Sequence, residues 1–282
     1  MNLIKKFIDT SMNEGLPVAV NSASSYIKFK LGSQRQIYNR REQLKDEMLK
    51  LFNATVAYGP FKGLKFSLDA WWGRERASMI LGLYEQEVLE SLTNIPKKYK
   101  TFIDLGAADG YYGIGVLVNN LFENSICFES TERGQNVIRE NAKLNGVADK
   151  LLIYGIAEKD FYKVIPDVQL RNSVLFVDIE GGEFDLLDHD TFKIFKDSIV
   201  FIELHDWYFE DANNKLQKLR QDAIEFFDIT ELTTASRDLS KFPELKDFSD
   251  TDRWLICSEG RHKLMAWYRL DPKNTKPNAA AT

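Results

Sequence analysis

Phe102-Ile103-Asp104-Leu105-Gly106-Ala107-Ala108-Asp109-Gly110-Tyr111-Tyr112-Gly113 is the stretch that decides the fold. An apolar run ends there in a glycine turn. Ile114, Val116, Leu117 and Leu121 then follow at helical spacing. The pattern is strand, tight turn, helix. Glycine at 106 and 110 allows a sharp turn and a close approach of backbone to a ligand. The helix start beyond supplies N–H groups without partners inside the helix. Further along, strand-like runs recur at 125–129, 151–156, 174–177 and 199–204. A helix is predicted over 132–144, closed by Asn145-Gly146, and another over 213–227, with Leu216, Leu219, Ala223 and Ile224 on one face. Strands alternating with helices predict an α/β fold, a doubly wound, mainly parallel seven-stranded sheet covered on both sides. The runs at 227–233 and 254–257 have no long helix between them and predict an antiparallel edge hairpin.

Upstream, residues 1–58 look helical and polar, with basic clusters around 35–41. A short strand is predicted at 64–68 and a helix at 83–92, before Pro96. The expected organisation is a helical N-terminal extension at 1–60, the main domain at 61–270 and a polar, disordered tail at 271–282. The 282 residues are 44% hydrophobic, enough for one sizeable core plus an accessory segment. A net charge of -5 argues against a protein that grips nucleic acid by its phosphates. The two cysteines, Cys127 and Cys257, lie in apolar runs and read as buried free thiols, and no Cys/His cluster suggests zinc. No run approaches the ~20 apolar residues of a membrane span. Leu3, Ile4, Phe7 and Ile8 share a helix face, which reads as a docking helix or a weak membrane-surface contact. A cytoplasmic location is expected.

The loop at 106–113 carries Asp109, and Glu129 ends the next strand. A carboxylate at that strand end can accept bonds from both ribose hydroxyls of an adenosine-type cofactor. A dinucleotide wants G-x-G-x-x-G, with pyrophosphate at the helix start. Here the spacing is Gly106-xxx-Gly110, and Asp109 would repel a pyrophosphate. It would not repel a cationic sulfonium with an amino-acid tail, whose ammonium Asp104 or Asp109 could hold. The charge pattern therefore favours S-adenosyl-L-methionine (SAM).

DLGAADG followed by Glu129 resembles the first motifs of class I SAM-dependent methyltransferases. Together with Arg139-Glu-Asn141-Ala-Lys-Leu-Asn145-Gly146, Phe176-Val-Asp178-Ile-Glu180-Gly181-Gly182-Glu183 and Ile202-Glu203-Leu-His205, it resembles the FkbM-type family over roughly residues 80–206. The resemblance implies methyl transfer, usually to oxygen, on saccharides, polysaccharides or natural-product scaffolds. It implies that Asp104, Gly106 and Gly110 line the methionine pocket, that Glu129 takes the ribose, and that Ala107, Asp109 and Asp178 also bind the cofactor. Ala157 and Glu158 would neighbour the adenine, with Tyr84 and Glu85 closing the site. Many relatives have a small residue plus asparagine where this chain has Ala108-Asp109. The segments 1–60 and beyond 207 match weakly, and those regions would choose the substrate.

Asp178 and Glu180 leave the fourth strand at its carboxyl end; Glu203, His205 and Asp206 leave the fifth. A hydroxyl acceptor needs a general base, for which His205 or a carboxylate of raised pKa would serve. The alternative is a divalent cation on Asp178, Glu180, Glu203 and His205, with magnesium as the candidate. Plainer readings are Glu180 as a helix cap and Glu203 as an acceptor for backbone. His189 and His262 read as solvent-facing. Trp207, Tyr208 and Phe209 could stack on a sugar or lid the sheet. The arginines of Trp71-Trp72-Gly73-Arg74-Glu75-Arg76 could pair with an anionic substrate or face solvent. Base methylation is disfavoured because no Pro-Pro-aromatic segment follows the fourth strand. Nitrogen or protein methylation and a non-catalytic SAM-binding role stay open. The expected partner is a small molecule or glycan, not nucleic acid.

Overall fold

The computed structural model describes residues 16–67, 73, 75–261 and 263–273. Its centre is a seven-stranded sheet in the order β3-β2-β1-β4-β5-β7-β6. The strands are β1 Thr101–Leu105, β2 Asn124–Phe128, β3 Leu151–Tyr154, β4 Ser173–Val177, β5 Ile199–Glu203, β6 Phe227–Thr233 and β7 Ala266–Pro272. The first five pair in parallel. β7 runs antiparallel between β5 and β6.

β1, β4 and β5 are buried along their whole length. Alternation sorts their side chains to two cores. Phe102, Val174, Phe176, Ile199 and Phe201 face one side. Ile103, Leu105, Leu175, Val177, Val200 and Ile202 face the other. The first core is covered by α1 (Leu16–Leu51), α2 (Arg76–Ile80), α3 (Gln86–Thr93), α4 (Tyr111–Val118) and α5 (Glu132–Leu144). The second is covered by α6 (Ala212–Ala223) and short helical turns carrying Phe161, Phe192 and Phe195. The doubly wound, mainly parallel sheet expected from the sequence is therefore present.

The chain moves from β1 outward to β3, then returns to β4 beside β1 and continues to β5. Strand order thus reverses between β1 and β4, where such folds open a crevice.

Several expectations are corrected. The run at 254–257 is not a strand. It ends a helix, α7 Asp250–Cys257, whose N-cap Ser249 accepts the Asp252 N–H. The strand beside β6 is β7 instead, and Asp271 and Pro272 belong to it, paired with Asp228 and Phe227 rather than opening a tail. The helix expected to reach residue 227 stops at Ala223, because Phe227 starts β6; Ile224 is exposed. Over 64–68 there is no strand in the described part, only an isolated bridge from Lys65 to Thr55. Two asparagines one turn apart on α5 hold that segment. Asn145 Oδ1 accepts the Lys65 N–H at 2.8 Å, and Asn141 Oδ1 accepts the Ser67 N–H at 2.8 Å. Asn141 Nδ2 donates to the Asp109 carbonyl in the glycine loop at 2.9 Å. The Asn-x-x-x-Asn spacing is thus a backbone clip as well as a helix end.

Both cysteines are buried and unpaired. No helix among the described residues is long and apolar enough to cross a membrane. The apolar face at residues 3–8 and the segment 274–282 lie outside the described residues, as do Trp71, Trp72, Arg74 and His262.

Candidate active site

The carboxyl end of β1 turns through Gly106 and Gly110, both in the left-handed region. A Cβ on Gly106 would stand 1.7 Å from the Asp178 carbonyl oxygen, so this glycine lets β1 and β4 close on each other. A Cβ on Gly110 would press on Ile114 at 2.7 Å. Packing within the protein demands both glycines before any ligand is considered. Four of the loop amides are also engaged. Gly106 and Ala107 N–H donate to the Phe128 carbonyl, Gly110 N–H to the Ala107 carbonyl, and Ala108 N–H to Glu129 Oε2. A pyrophosphate cradle would need such amides free.

Glu129 follows β2 and is buried. Its Oε1 accepts the Thr131 N–H at 2.8 Å and the Thr131 hydroxyl at 2.7 Å; its Oε2 takes Ala108. Three of about four acceptor positions on the carboxylate are filled. One ribose hydroxyl can join without rearrangement, whereas a second displaces a Thr131 bond. Ala157 and Glu158 lie in the loop after β3, whose Tyr154 carbonyl accepts the Glu129 N–H; Glu158 is exposed.

The two loop carboxylates differ. Asp109 is buried and paired with the buried guanidinium of Arg76, which also lies 3.9 Å over the Phe66 ring. Arg76 therefore does not face solvent, and Asp109 is already neutralised. Asp104 is buried with one N–H donor, from Gly113 at 3.1 Å. Burial pushes its pKa up to about 7, against the Gly113 bond and with help from the Glu129 charge.

A testable consequence concerns stability. The ordinary value for Asp104 is 3.8, so the folded chain keeps this proton where the unfolded chain has lost it. Stability then falls as pH rises from about 4 to about 7. Asp104→Asn keeps an acceptor for Gly113 and removes the charge. It is expected to gain up to roughly 2–4 kcal/mol on the native chain at about pH 8, and nothing at about pH 3. Urea unfolding at the two pH values checks this; an equal effect at both would contradict it.

Across the crevice, the ends of β4 and β5 bring Asp178, Glu203 and His205 together. One ligand atom of each lies within 4.8 Å of the others. Glu180, in the left-handed region at φ 53°, stands 3.5 Å from His205 Nε2 and accepts the Tyr208 hydroxyl at 3.1 Å. It does not cap the following helical turn. Burial, then the Glu203 charge, hold the Asp178 carboxyl well above the usual range, although 28% of its side chain is exposed. His205 is 3% exposed. Burial lowers its pKa, but Glu183 and the Glu203 charge outweigh burial and raise it. Tyr208 stacks on the His205 ring, and Trp207 tilts against it.

Residues that the sequence reading did not single out hold this group in place. Glu183 is fully buried and accepts the Gly181 N–H at 2.9 Å and the His205 N–H at 2.8 Å, tying the β4 turn to the β5 end. Arg261 pairs with Glu85, Glu203 and Glu259. Glu203 is thus held by a guanidinium rather than by backbone. Arg237 continues the network between Glu259 and Glu87. Glu85 is buried, in the left-handed region at φ 47°, and accepts the Tyr112 hydroxyl. Burial, then the Glu203 charge, push its pKa up to about 8. Glu183 sat in a motif already quoted, but Arg261 has no periodic or motif signal around it. His189 is exposed, and its Nε2 lies 2.9 Å from Glu225.

The group opens on a cavity of about 1230 Å³, walled on one side by α1 through Tyr38, Glu42, Lys45, Leu49 and Lys50. Tyr84, Trp207 and Tyr208 line it as well.

No known protein-family profile matches the sequence, and no curated protein matches it. Solved structures do. The chain is similar to M. jannaschii TYW2 in complex with AdoMet at 14% identity, covering 72% of this chain and 79% of that one, with a TM-score of 0.41. It is similar to precorrin-6y C5,15-methyltransferase from Geobacter metallireducens at 13% identity, covering 73% and 93%, with a TM-score of 0.43. It is similar to the B. subtilis M1A22 tRNA methyltransferase TrmK at 8% identity, covering 64% of each chain, with a TM-score of 0.42.

Proposed function

We propose that the chain is a SAM-dependent methyltransferase acting on a hydroxyl of a saccharide or natural-product acceptor. One observation carries this reading: where strand order reverses, the loop after β1 ties the Gly106, Ala107, Ala108 and Gly110 amides within the protein and offers the buried carboxyls of Asp104 and Glu129, beside a β4 whose end brings Asp178 to Glu203 and His205. The loop side offers carboxylates, Asp104 and Glu129, where a dinucleotide would want amides and cations. That suits a cationic cofactor with a ribose. When bound, SAM supplies an electrophilic methyl group on sulfonium.

The protein's own residues then have three tasks. Glu129 takes a ribose hydroxyl with its remaining acceptor position on Oε2. Asp104 and the 106–110 turn border the amino-acid tail, and Ala157 and Glu158 border the adenine; Tyr84 and Glu85 close the pocket. The third task falls to Asp178, Glu180, Glu203 and His205, which together orient the acceptor hydroxyl, one of them taking its proton. A methyl group on a bound sulfonium would pass to that oxygen, the sulfur keeping the electron pair of the bond that breaks.

Seven carboxylates line the acceptor cavity against five lysines and arginines. This supports a neutral, hydroxyl-bearing acceptor over a phosphate chain, which would be repelled. Trp207 and Tyr208 offer flat faces suited to a sugar ring.

Glu129→Ala tests the cofactor half of the proposal. A hydrogen bond to a charged group is worth about 1.5–3 kcal/mol, so SAM affinity by calorimetry is expected to fall roughly 10–150-fold. Unchanged affinity would remove Glu129 from the site. Release of S-adenosylhomocysteine with a panel of polyols and amines tests the acceptor half; turnover with amines alone would replace oxygen by nitrogen as the target.

A further inference from the structure

We infer that Asp178, Glu203 and His205 form a binding site for one divalent cation, with Glu183 and Arg261 as the groups that aim its ligands. The cation's role rests on the methyltransferase reading; the site itself does not.

Three side chains each have one atom to give. Asp178 Oδ1 is buried without a hydrogen-bond partner. Glu203 has Oε1 on Arg261, which leaves Oε2 turned to His205 at 3.6 Å. His205 Nε2 stands 3.6 Å from Asp178, 3.5 Å from Glu180 and 3.6 Å from Glu203. It is in hydrogen-bond geometry with none of the three, although the side chain is only 3% exposed. A cation held about 2.1 Å from each ligand keeps any two ligands within about 4.2 Å. Atoms already within 4.8 Å of one another reach that by small side-chain rotations.

A second observation comes from behind the ring. Glu183 Oε1 lies 3.3 Å from His205 Nδ1, a buried nitrogen not yet in hydrogen-bond geometry with it, and is itself fixed by the His205 N–H. Histidines that bind metals characteristically give their other ring N–H to a carboxylate, which sets the tautomer and turns the free nitrogen to the ion. Here a small turn of the ring that brings Nδ1–H onto Glu183 sets that tautomer, with Nε2 toward the Asp178 and Glu203 oxygens. Arg261 does the same for Glu203, occupying one oxygen and presenting the other. Charge agrees: Asp178, Glu180, Glu183 and Glu203 surround one imidazole, and Arg261 is already shared among three carboxylates.

Two carboxylates and one imidazole suit magnesium, manganese or a similar small divalent ion, with positions left for water and an acceptor hydroxyl. A cation there lowers the pKa of a hydroxyl bound to it. The proton then passes to Glu180, exposed at the rim. His205, its lone pair engaged, is a ligand and not the base.

The test uses the full-length chain stripped with a chelator and titrated with Mn2+, following the free-ion electron-paramagnetic signal. One ion per chain is expected, displaced by Mg2+. Asp178→Asn and His205→Gln should each weaken binding at least tenfold. Glu183→Gln removes no ligand and should still weaken it roughly tenfold or more, with thermal unfolding showing each variant folded. No binding by the native chain up to about 1 mM Mn2+ would overturn the inference, and SAM binding in the same preparation would leave the proposed function standing. Binding unchanged in the Asp178 and His205 variants would overturn it too, placing the ion elsewhere. Mn2+ bound as expected in a chain that ignores SAM would uphold the site and sink the methyltransferase reading.

Discussion

Replacing Arg261 by alanine is expected to destabilise the protein by roughly 3–5 kcal/mol, the cost of leaving buried charges without their partner. Arg261 meets Glu85, Glu203 and Glu259 with different atoms of one guanidinium. Glu259 retains Arg237, and Glu85 retains the Tyr112 hydroxyl. Among the described residues, Glu203 then keeps no cationic partner besides the His205 imidazole, in a position 4% exposed. Arg261→Lys should recover only part of the loss, because an ammonium is a point charge and cannot span three carboxylates. Adding Glu85→Gln to the alanine variant should recover little at neutral pH, because the Glu85 carboxyl, its pKa pushed up to about 8, is already largely protonated there. Urea midpoints measure all three. A loss under about 0.5 kcal/mol would mean that solvent, not Arg261, balances these acids.

Gly106→Ala should be harsher. The φ of 90° is one that side-chain-bearing residues rarely adopt, and the new methyl would lie 1.7 Å from the Asp178 carbonyl oxygen. Neither partner is a flexible side chain. Relief requires the ends of β1 and β4 to part, which breaks the Asp178 N–H bond to the Leu105 carbonyl. Left-handed strain and overpacking each cost about 1–3 kcal/mol, and the lost bond adds to them. A total of about 4 kcal/mol or more would leave much of the chain unfolded or insoluble. Gly155→Ala is the control: nothing lies within 4 Å of its Cβ, and it should stay within about 0.5 kcal/mol of the native chain. Equal behaviour of the two variants would show that the β1–β4 contact is looser than described.

Period and punctuation explain what the sequence disclosed. The strands β1 to β5 are apolar runs bounded by turns, and α5 has an amphipathic stripe between Thr131 and Asn145-Gly146; these elements fall within a residue or two of their expected places. The ends of β4 and β5 were equally legible, because carboxylates and a histidine two residues apart directly after a buried strand are conspicuous. The edge of the sheet was not. Trp254-Leu-Ile-Cys257 has strand-like composition, and the competing signal, a Ser249 cap followed by Asp250 and Asp252, is local and easily passed over. β7 contains Arg269 and Asp271 and pairs far from its neighbours in sequence, so its apolar alternation is weak. The loop has tenants that spacing does not reveal. Asp109 looked like a ligand for an ammonium, but Arg76, 33 residues away, neutralises it. Gly106 looked like room for a cofactor, and it is also room for the Asp178 carbonyl. Long-range pairs of that kind, Arg261 with Glu85 among them, leave no mark in spacing.

The central claim is that the crevice between β1 and β4 holds SAM. Calorimetric titration of the purified full-length chain tests it most directly. One site per chain, with a Kd in about the micromolar range for SAM and S-adenosylhomocysteine and no heat with NAD, is the expected result. Absence of SAM binding, or binding of NAD in its place, would contradict it.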